Sequence, residues 1–196
     1  MFKQPPRGPE PVWWIIDPID GTNNFANGVP LFAVSIGAIY AGSPIVGVIF
    51  APALDAMFTA VRDGEAQLNG RRIAAGARDM DQFSSISLDS HFPTYNSIPP
   101  WVCRIMERTR YRNLGSTALH MAYVAKGSFL ANIASTPKLW DLAAGALIGQ
   151  SAGAVMTDWR GKEIFPIDPA AYQGAELPAI LANKKVHPQI VTLINA

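Results

Sequence analysis

The most constraining feature of the sequence is an apolar run that leads into two aspartates near its amino end. The run Trp14-Ile15-Ile16 predicts a strand buried on both faces. Pro18 fixes its own φ and lacks an N–H, so we expect the strand to end at Asp17. Gly21 lets the backbone approach a ligand closely, and Thr22 is expected to cap a following helix.

The residues of this turn offer oxygen ligands for a metal ion. Asp17 and Asp20 lie three positions apart, with the carbonyl of Ile19 between them. Hard oxygen donors of this kind suit Mg²⁺ better than a softer metal. The alternative is that Asp-Pro and Asp-Gly are ordinary turn dipeptides with solvated carboxylates. The strongly apolar strand before them, and a second acid-bearing segment downstream, favour the metal site.

The second acid-bearing segment is Trp140-Asp141-Leu142-Ala143-Ala144-Gly145. Its small and apolar residues predict a helix over 141–151, which the glycines at 149 and 153 would end. Asp141 is expected at the helix start as the N-cap, where the macrodipole favours a negative charge. Capping does not exclude metal binding, because one carboxylate has two oxygens and several lone-pair sites.

The pattern along the chain predicts strands first and helices later. The 196 residues suit a single domain over 12–196, preceded by a Pro-rich, linker-like stretch over 1–11. Asn69-Gly70 is a strong hairpin dipeptide. The other predicted elements are strands over 32–40, 45–50, 56–61, 66–68, 85–88, 129–133, 154–157 and 180–182, an extended piece over 112–114, and helices over 100–110, 117–126 and 188–194.

Composition excludes several classes of function. A formal net charge of +1, without a basic run, gives no basis for a nucleic-acid partner or a membrane surface. The longest apolar stretch, 31–41, is too short to span a bilayer, and the amino end has no apolar signal core. The single cysteine, Cys103, excludes an internal disulfide, so we expect a cytoplasmic protein.

The three histidines do not suggest a metal site. His91, His120 and His187 are far apart in the sequence, with no ligand spacing. His120 falls inside a helical pattern, so we expect a core or interface histidine there.

Several segments together resemble the inositol monophosphatase family. The string Asp17-Pro18-Ile19-Asp20-Gly21-Thr22-Asn23-Asn24-Phe25 is similar to its first signature, and Trp140 to Gly145 is similar to its second. Three segments between them also match in position, namely 47–52, 68–73 and 114–119. The resemblance runs from about Val12 to about His187.

The resemblance implies an α/β fold, an α+β layered sandwich of αβαβα architecture, and a Mg²⁺-dependent phosphomonoesterase that is usually a homodimer. By the same resemblance, Asp17, Asp20, Asp141 and the Ile19 carbonyl hold metal, and Asp20 and Thr22 are catalytic, with the Thr22 hydroxyl positioning the attacking water. The Gly21 and Thr22 amides hold the phosphate. The residues expected around the substrate are Ile19, Asp20, Gly21, Thr22, Gly115, Ser116, Thr117 and Asp141.

The sequence also departs from the family pattern. The family carries a portion before its first signature, with paired helices and a glutamate ligand, whereas here only Met1 to Val12 precede the motif. We therefore expect the amino-terminal helical layer to be missing and one metal site to lack a ligand. Glu10 is interpreted as a solvated linker residue, with substitution as a ligand the alternative. Ala134 stands where inositol-specific members have a glutamate, and Lys138 is either a solvated lysine or a contact for an acidic substrate group.

Two functions follow. The first is hydrolysis of a small sugar or polyol phosphate, such as inositol 1-phosphate, by metal-activated water. The alternative is a shortened, catalytically impaired family member that acts by binding, because a missing helical layer would leave apolar sheet surface exposed to association.

Overall fold

The computed structural model describes residues 12–89 and 98–196, so Glu10, His91 and the linker-like stretch lie outside the described residues. The strands are β1 (Trp13–Asp20), β2 (Ala33–Tyr40), β3 (Ser43–Ala51), β4 (Ala56–Val61), β5 (Gln67–Leu68), β6 (Arg71–Arg72), β7 (Ser85–Leu88), β8 (Arg110–Arg112), β9 (Ala131–Ala134), β10 (Ala154–Thr157) and β11 (Ala179–Asn183). The helices are α1 (Thr22–Ala26), α2 (Pro100–Arg108), α3 (Thr117–Ala125), α4 (Leu139–Ser151) and α5 (His187–Asn195).

The strands form two sheets. The first has six antiparallel strands in the order β1-β2-β3-β4-β5-β6, so that β1 lies at its edge. The second has five strands in the order β10-β11-β9-β7-β8, and β7 pairs in parallel with both of its neighbours. Meandering hairpins build the first sheet, whereas crossovers through helices build the parallel part of the second.

Helices α3 and α4 lie between the two sheets, and α2 and α5 cover the far side of the second sheet. The main apolar cluster joins inward residues of β3 and β4, such as Ile49 and Phe58, to the middle helices through Leu119 and Leu142. The described residues thus form a βαβα stack. This confirms the predicted layered α/β fold, and no helix of the described residues covers the outer side of the first sheet.

Glycines allow α4 to lie close to the first sheet. A Cβ on Gly37 would be 2.8 Å from the Cβ of Ala143, and a Cβ on Gly47 would be 2.7 Å from the carbonyl oxygen of Ala144. Only residues without a side chain permit this approach, which sets the height of α4, and therefore of Asp141, above the sheet.

Most predicted elements are present, with shifted ends. Asn69 and Gly70 have φ of 49° and 76° and connect β5 to β6, as their hairpin chemistry requires. The helix predicted over 100–110 ends at Arg108, and the extended piece lies at 110–112 because it pairs with β7.

The prediction for the first strand is wrong in two respects. It is not buried on both faces, because Trp14 and Ile16 are 63% and 52% exposed. It also continues past Asp17 to Asp20, with a register irregularity between those two residues. An edge strand tolerates Pro18 because its outer side needs no N–H for pairing.

The helices within the described residues are too short or too polar to cross a lipid bilayer.

Candidate functional site

Three carboxylates from distant parts of the sequence meet at the end of β1. Asp17 and Asp20 come from β1 itself, and Asp141 comes from the first turn of α4. Each offers an oxygen within 4.8 Å of the other two. The three predicted metal ligands are therefore within reach of one cation.

The turn after β1 is held by local hydrogen bonds. The Ile19 amide donates to Asp17 Oδ1 at 3.0 Å, and the Thr22 hydroxyl donates to the Ile19 carbonyl at 3.1 Å. The prediction that Thr22 caps the helix is wrong: Gly21, with φ 85°, is the N-cap, and Thr22 is the first residue of α1. A left-handed φ at this position favours glycine. Thr22, which follows it, is exposed.

Asp20 is oriented by the start of α3. Its Oδ2 accepts hydrogen bonds from the Ser116 hydroxyl and from the Ala118 amide, the latter at 2.8 Å. Ser116 is also the N-cap of α3, where its Oγ accepts from the Leu119 amide at 3.2 Å. With Oδ2 held in this way, the second oxygen of Asp20 has a set direction.

Close packing brings the 113–117 segment to this turn. The Asn24 side-chain amide donates to the carbonyls of Leu31 and Leu114, both at 2.6 Å. A Cβ on Gly21 would be 3.0 Å from the Leu31 carbonyl oxygen and 3.1 Å from that of Gly115. The two glycines therefore let the phosphate-binding turn and the substrate-lining segment predicted from the sequence lie side by side.

Asp141 occupies a different position from the one predicted. It is the third residue of α4, and Lys138 is the N-cap. The Asp141 carboxylate instead accepts from the Lys138 amide at 2.6 Å through Oδ2. Leu139 and Trp140 are already helical, so α4 begins two residues before Asp141. The Lys138 ammonium lies 3.6 Å from Glu176, so it faces an acid of the chain itself.

Burial and like charges disfavour ionisation of two of these acids. Burial, and to a lesser extent the charge of Asp17, raises the pKa of Asp20 to about 6, although the hydrogen bonds from Ser116 and Ala118 act to lower it. Burial, followed by the charges of Asp20 and Asp17, raises the pKa of Asp141 to about 7. Three carboxylates this close repel one another, and a bound cation would relieve that repulsion.

The residues present fit a hard divalent cation. Every donor is an oxygen: three carboxylates and the Ile19 carbonyl, which has a second lone pair beside its bond to Thr22. Mg²⁺ prefers such donors and retains water at positions that the protein leaves open.

A cavity of about 220 Å³ lies next to the carboxylates. Gly115, Ser116, Thr117 and Asp141 line it, and these are four of the residues that were predicted to surround a substrate. Asp17 instead lines a neighbouring apolar groove of about 560 Å³ along β1, and Asp20 is buried. The structure brings the carboxylates together but does not place all of the predicted residues on one cavity wall.

The same cavity has polar walls that the sequence did not identify. Asp89, Asn113 and Thr136 contribute to it. Asp89 Oδ2 accepts from the Ser135 amide at 2.7 Å, because Asp89 follows β7 at the point where β7 runs beside β9. The signal in the sequence that could have identified Asp89 is its position as an acid directly after a strand.

His120 also lines this cavity and is buried, as predicted for a core histidine. Its Nε2 accepts from the Leu114 amide at 2.7 Å, so the ring proton is on Nδ1, which has no hydrogen-bond partner among the described residues. Burial lowers the pKa of His120 to about 4. A neutral His120 thus supports the segment that holds Asp20.

Comparison with known proteins agrees with this geometry. The profile of the inositol monophosphatase family matches residues 3–195. A fructose-1,6-bisphosphatase/inositol-1-monophosphatase of Thermotoga maritima is 33% identical over 187 residues, covering 93% of this chain and 67% of the relative. The Nus factor SuhB of Escherichia coli K12 is 38% identical over 185 residues, covering 89% of this chain and 67% of the relative.

A solved structure, an IMPase/NADP phosphatase complexed with Mg²⁺ and phosphate, matches with a TM-score of 0.81 and 27% identity. The match covers 94% of this chain and 67% of that one, so the chain spans about two thirds of the length of these relatives. Matching sequence, matching fold and the meeting of the two signature segments lead to one conclusion: the chain belongs to the inositol monophosphatase family.

Proposed function

We propose that this protein is a Mg²⁺-dependent phosphomonoesterase acting on a small sugar or polyol phosphate, with inositol 1-phosphate as one candidate. The observation that carries the proposal is the convergence of Asp17, Asp20 and Asp141, whose oxygens lie within 4.8 Å of one another beside a polar cavity. The similar phosphatase structure that is complexed with Mg²⁺ and phosphate supports the choice of metal.

Asp17, Asp20, Asp141 and the Ile19 carbonyl would hold the metal. Bound Mg²⁺ would neutralise charge on the phosphate and lower the pKa of a coordinated water. The Thr22 hydroxyl donates its hydrogen bond to the Ile19 carbonyl, so the lone pairs of its oxygen remain able to accept a hydrogen bond. Thr22 would therefore orient a water molecule by accepting one of its hydrogens.

The backbone of the turn would hold the phosphate. The amides of Gly21 and Thr22 begin α1, and N–H groups at a helix start favour anions. Asp20, which Ser116 and Ala118 hold in place, would keep its second oxygen directed at the cation. Phosphoryl transfer depends mainly on such positioning and on charge stabilisation.

The cavity walls favour a hydroxylated leaving group. Asp89 is an acceptor, Asn113 offers both donors and acceptors, and Thr136 offers one hydroxyl. These groups match the hydroxyls of a sugar or polyol better than an apolar ring, which would leave them without partners.

The remaining parts of the proposal concern assembly and location. We propose a small phosphorylated partner, no nucleic-acid or membrane partner, a homodimer of single-domain chains over 12–196, and a cytoplasmic location. The net charge of +1 supports the absence of a nucleic-acid partner, although several relatives carry the name Nus factor SuhB.

Phosphate release tests the proposal. Purified chain is incubated with inositol 1-phosphate, glycerol 2-phosphate and p-nitrophenyl phosphate, with Mg²⁺ or with EDTA. We expect release that requires Mg²⁺ for at least one ester. A folded protein that releases no phosphate from any of them would instead support the impaired, binding member of the family.

A further inference from the structure

The first turn of α4 is held by a segment that comes later in the chain. We call residues 166–177 the strap; all of them are described, and none belongs to a helix or strand. The Ile167 amide donates to the Gly42 carbonyl at 2.8 Å. The Leu177 amide donates to the Pro137 carbonyl, also at 2.8 Å. The strap is therefore attached to the β2–β3 turn near its beginning and to the residue before the N-cap of α4 at its end.

The N-cap position of α4 is occupied by a residue that cannot cap. The first N–H groups of a helix have no partner within the helix and need an acceptor from elsewhere. Ser, Thr, Asp and Asn usually supply one from the N-cap position. Here the N-cap is Lys138, whose ammonium group has donors but no acceptor. The start of α4 must therefore obtain its acceptors from other residues.

Two side chains supply acceptors to this helix start. Asp141 accepts from the Lys138 amide through Oδ2. The Tyr172 hydroxyl of the strap accepts from the Leu139 amide at 3.1 Å and donates to the Ala175 carbonyl. Because a hydroxyl has one hydrogen, the donation to Ala175 leaves the oxygen of Tyr172 as the acceptor for Leu139. Tyr172 thus caps α4 from 33 residues away in the sequence.

The capped amide lies in apolar surroundings. Leu139 is buried in a cluster with Ile39 and Ala143, and Tyr172 packs against this cluster. The rings of Tyr172 and Trp140 meet edge to face, with their centroids 6.3 Å apart. A buried N–H group without an acceptor is destabilising. Without the hydroxyl, the first turn of α4 would therefore have to open towards water.

We propose that Tyr172 is a positioning residue for Asp141: its hydroxyl fixes the first turn of α4 and, with it, the direction of the Asp141 carboxylate. This role rests on the proposed function, in which Asp141 binds Mg²⁺. Asp141 is two residues after Leu139 in the same turn. Its carboxylate meets those of Asp17 and Asp20 within 4.8 Å only while that turn keeps its shape. Hydrogen bonds that orient metal ligands typically contribute about ten- to a hundredfold to metal affinity.

Titration calorimetry of the metal-free chain with Mg²⁺ tests the proposal, with Tyr172→Phe as the variant that removes only the hydroxyl. We expect the Kd for Mg²⁺ to rise about tenfold. Tyr123→Phe is the matched control: Tyr123 is a partly buried tyrosine of α3 that packs against Phe129. Its hydroxyl has no hydrogen-bond partner among the described residues, so the Kd is expected to stay unchanged. Both titrations are made well below the melting temperatures of the variants, so that a change in Kd reports on the site rather than on unfolding.

A second pair of variants restores a cap without the tyrosine. In the Tyr172→Phe background, Lys138→Asn supplies a capping side chain, whereas Lys138→Gln does not. Both substitutions remove the ammonium group and its contact with Glu176, so they change the charge near the carboxylates equally. We expect tighter Mg²⁺ binding with Lys138→Asn than with Lys138→Gln, because a local cap holds the N–H groups of the same turn.

The outcomes separate this role from the proposed function. Equal Mg²⁺ affinities of the unchanged chain and Tyr172→Phe would overturn the positioning role and leave the proposed function standing. An unchanged chain that binds no Mg²⁺ would overturn both. An equal weakening in Tyr123→Phe, or equal affinities of the two double variants, would show a general loss of stability and would also overturn the positioning role.

Discussion

Gly47→Ala is expected to show that the spacing between α4 and the first sheet positions Asp141. The new Cβ would lie 2.7 Å from the Ala144 carbonyl oxygen and 3.2 Å from the Ala144 Cα. Ordinary contact begins at 3.4 Å, so the helix must move away by roughly 0.7 Å, the difference between 3.4 and 2.7 Å. Asp141 lies three residues before Ala144 on the same helix and would move with it.

The expected cost follows from overpacking. Forcing one methyl group into a packed interior destabilises by about 1–3 kcal/mol, which lowers the melting temperature of a chain of this size by roughly 2–12 °C. The rise in melting temperature on adding Mg²⁺ is expected to be smaller than in the unchanged chain, because the three carboxylates no longer converge as closely. Scanning calorimetry with and without Mg²⁺ measures both quantities.

A matched variant separates overpacking from other effects of alanine. The Cβ of Gly37→Ala would meet the Ala143 Cβ at 2.8 Å, so adding Ala143→Gly removes its closest contact. We expect partial rescue there, reduced by about 1 kcal/mol for glycine in a helix. No side-chain deletion can rescue Gly47→Ala, because its closest contact is a backbone oxygen. A melting temperature of Gly47→Ala within about 1 °C of the unchanged chain, with an equal response to Mg²⁺, would refute the reasoning.

Three further predictions concern the carboxylates and the cavity. Asp20→Asn is expected to lower Mg²⁺-dependent phosphate release more than about a hundredfold. The same variant should raise the melting temperature of the metal-free protein at pH 8, because the raised pKa of Asp20 means that its ionised form is disfavoured in the fold. Unchanged turnover would remove Asp20 from the mechanism. Because the pKa of His120 is lowered from 6.5 to about 4, the folded state resists its protonation, and the free energy of unfolding falls as the pH drops from 6.5 to 4. At pH 4 the unchanged chain should have lost about 3 kcal/mol more of this free energy than His120→Gln, as measured by urea unfolding. Parallel pH profiles of the two proteins would contradict this. Asp89→Asn is expected to lower kcat/KM for a polyol phosphate about tenfold and to leave kcat/KM for p-nitrophenyl phosphate unchanged. Asp79→Asn, at an exposed aspartate, is the control. An equal loss on both esters would show that Asp89 does not contact the leaving group.

The sequence predicted the features that depend on a few neighbouring residues. The Asn69-Gly70 hairpin, most strands of the first sheet and the helix after Lys138 follow from turn chemistry and apolar spacing, which act over short ranges. The resemblance of two distant signature segments added that Asp17, Asp20 and Asp141 belong to one site, although nothing local to either segment requires it. Local rules predicted Thr22 and Asp141 as helix N-caps, whereas the N-caps are Gly21 and Lys138. Helix ends are hard to predict because several neighbouring residues in one turn can serve as the starting point.

Tertiary structure alone decided the rest. An apolar run such as Trp14 to Ile16 predicts a strand, but its position at the edge of the sheet, and the exposure of one side of it, depend on which strands pair with it. Likewise, the hydrogen bonds that orient Asp20 come from Ser116 and Ala118, and the place of Asp89 in the cavity results from the parallel pairing of β7 with β9. Contacts between residues far apart in the sequence determine these environments, and the environments determine which carboxylates lie close enough to share a cation.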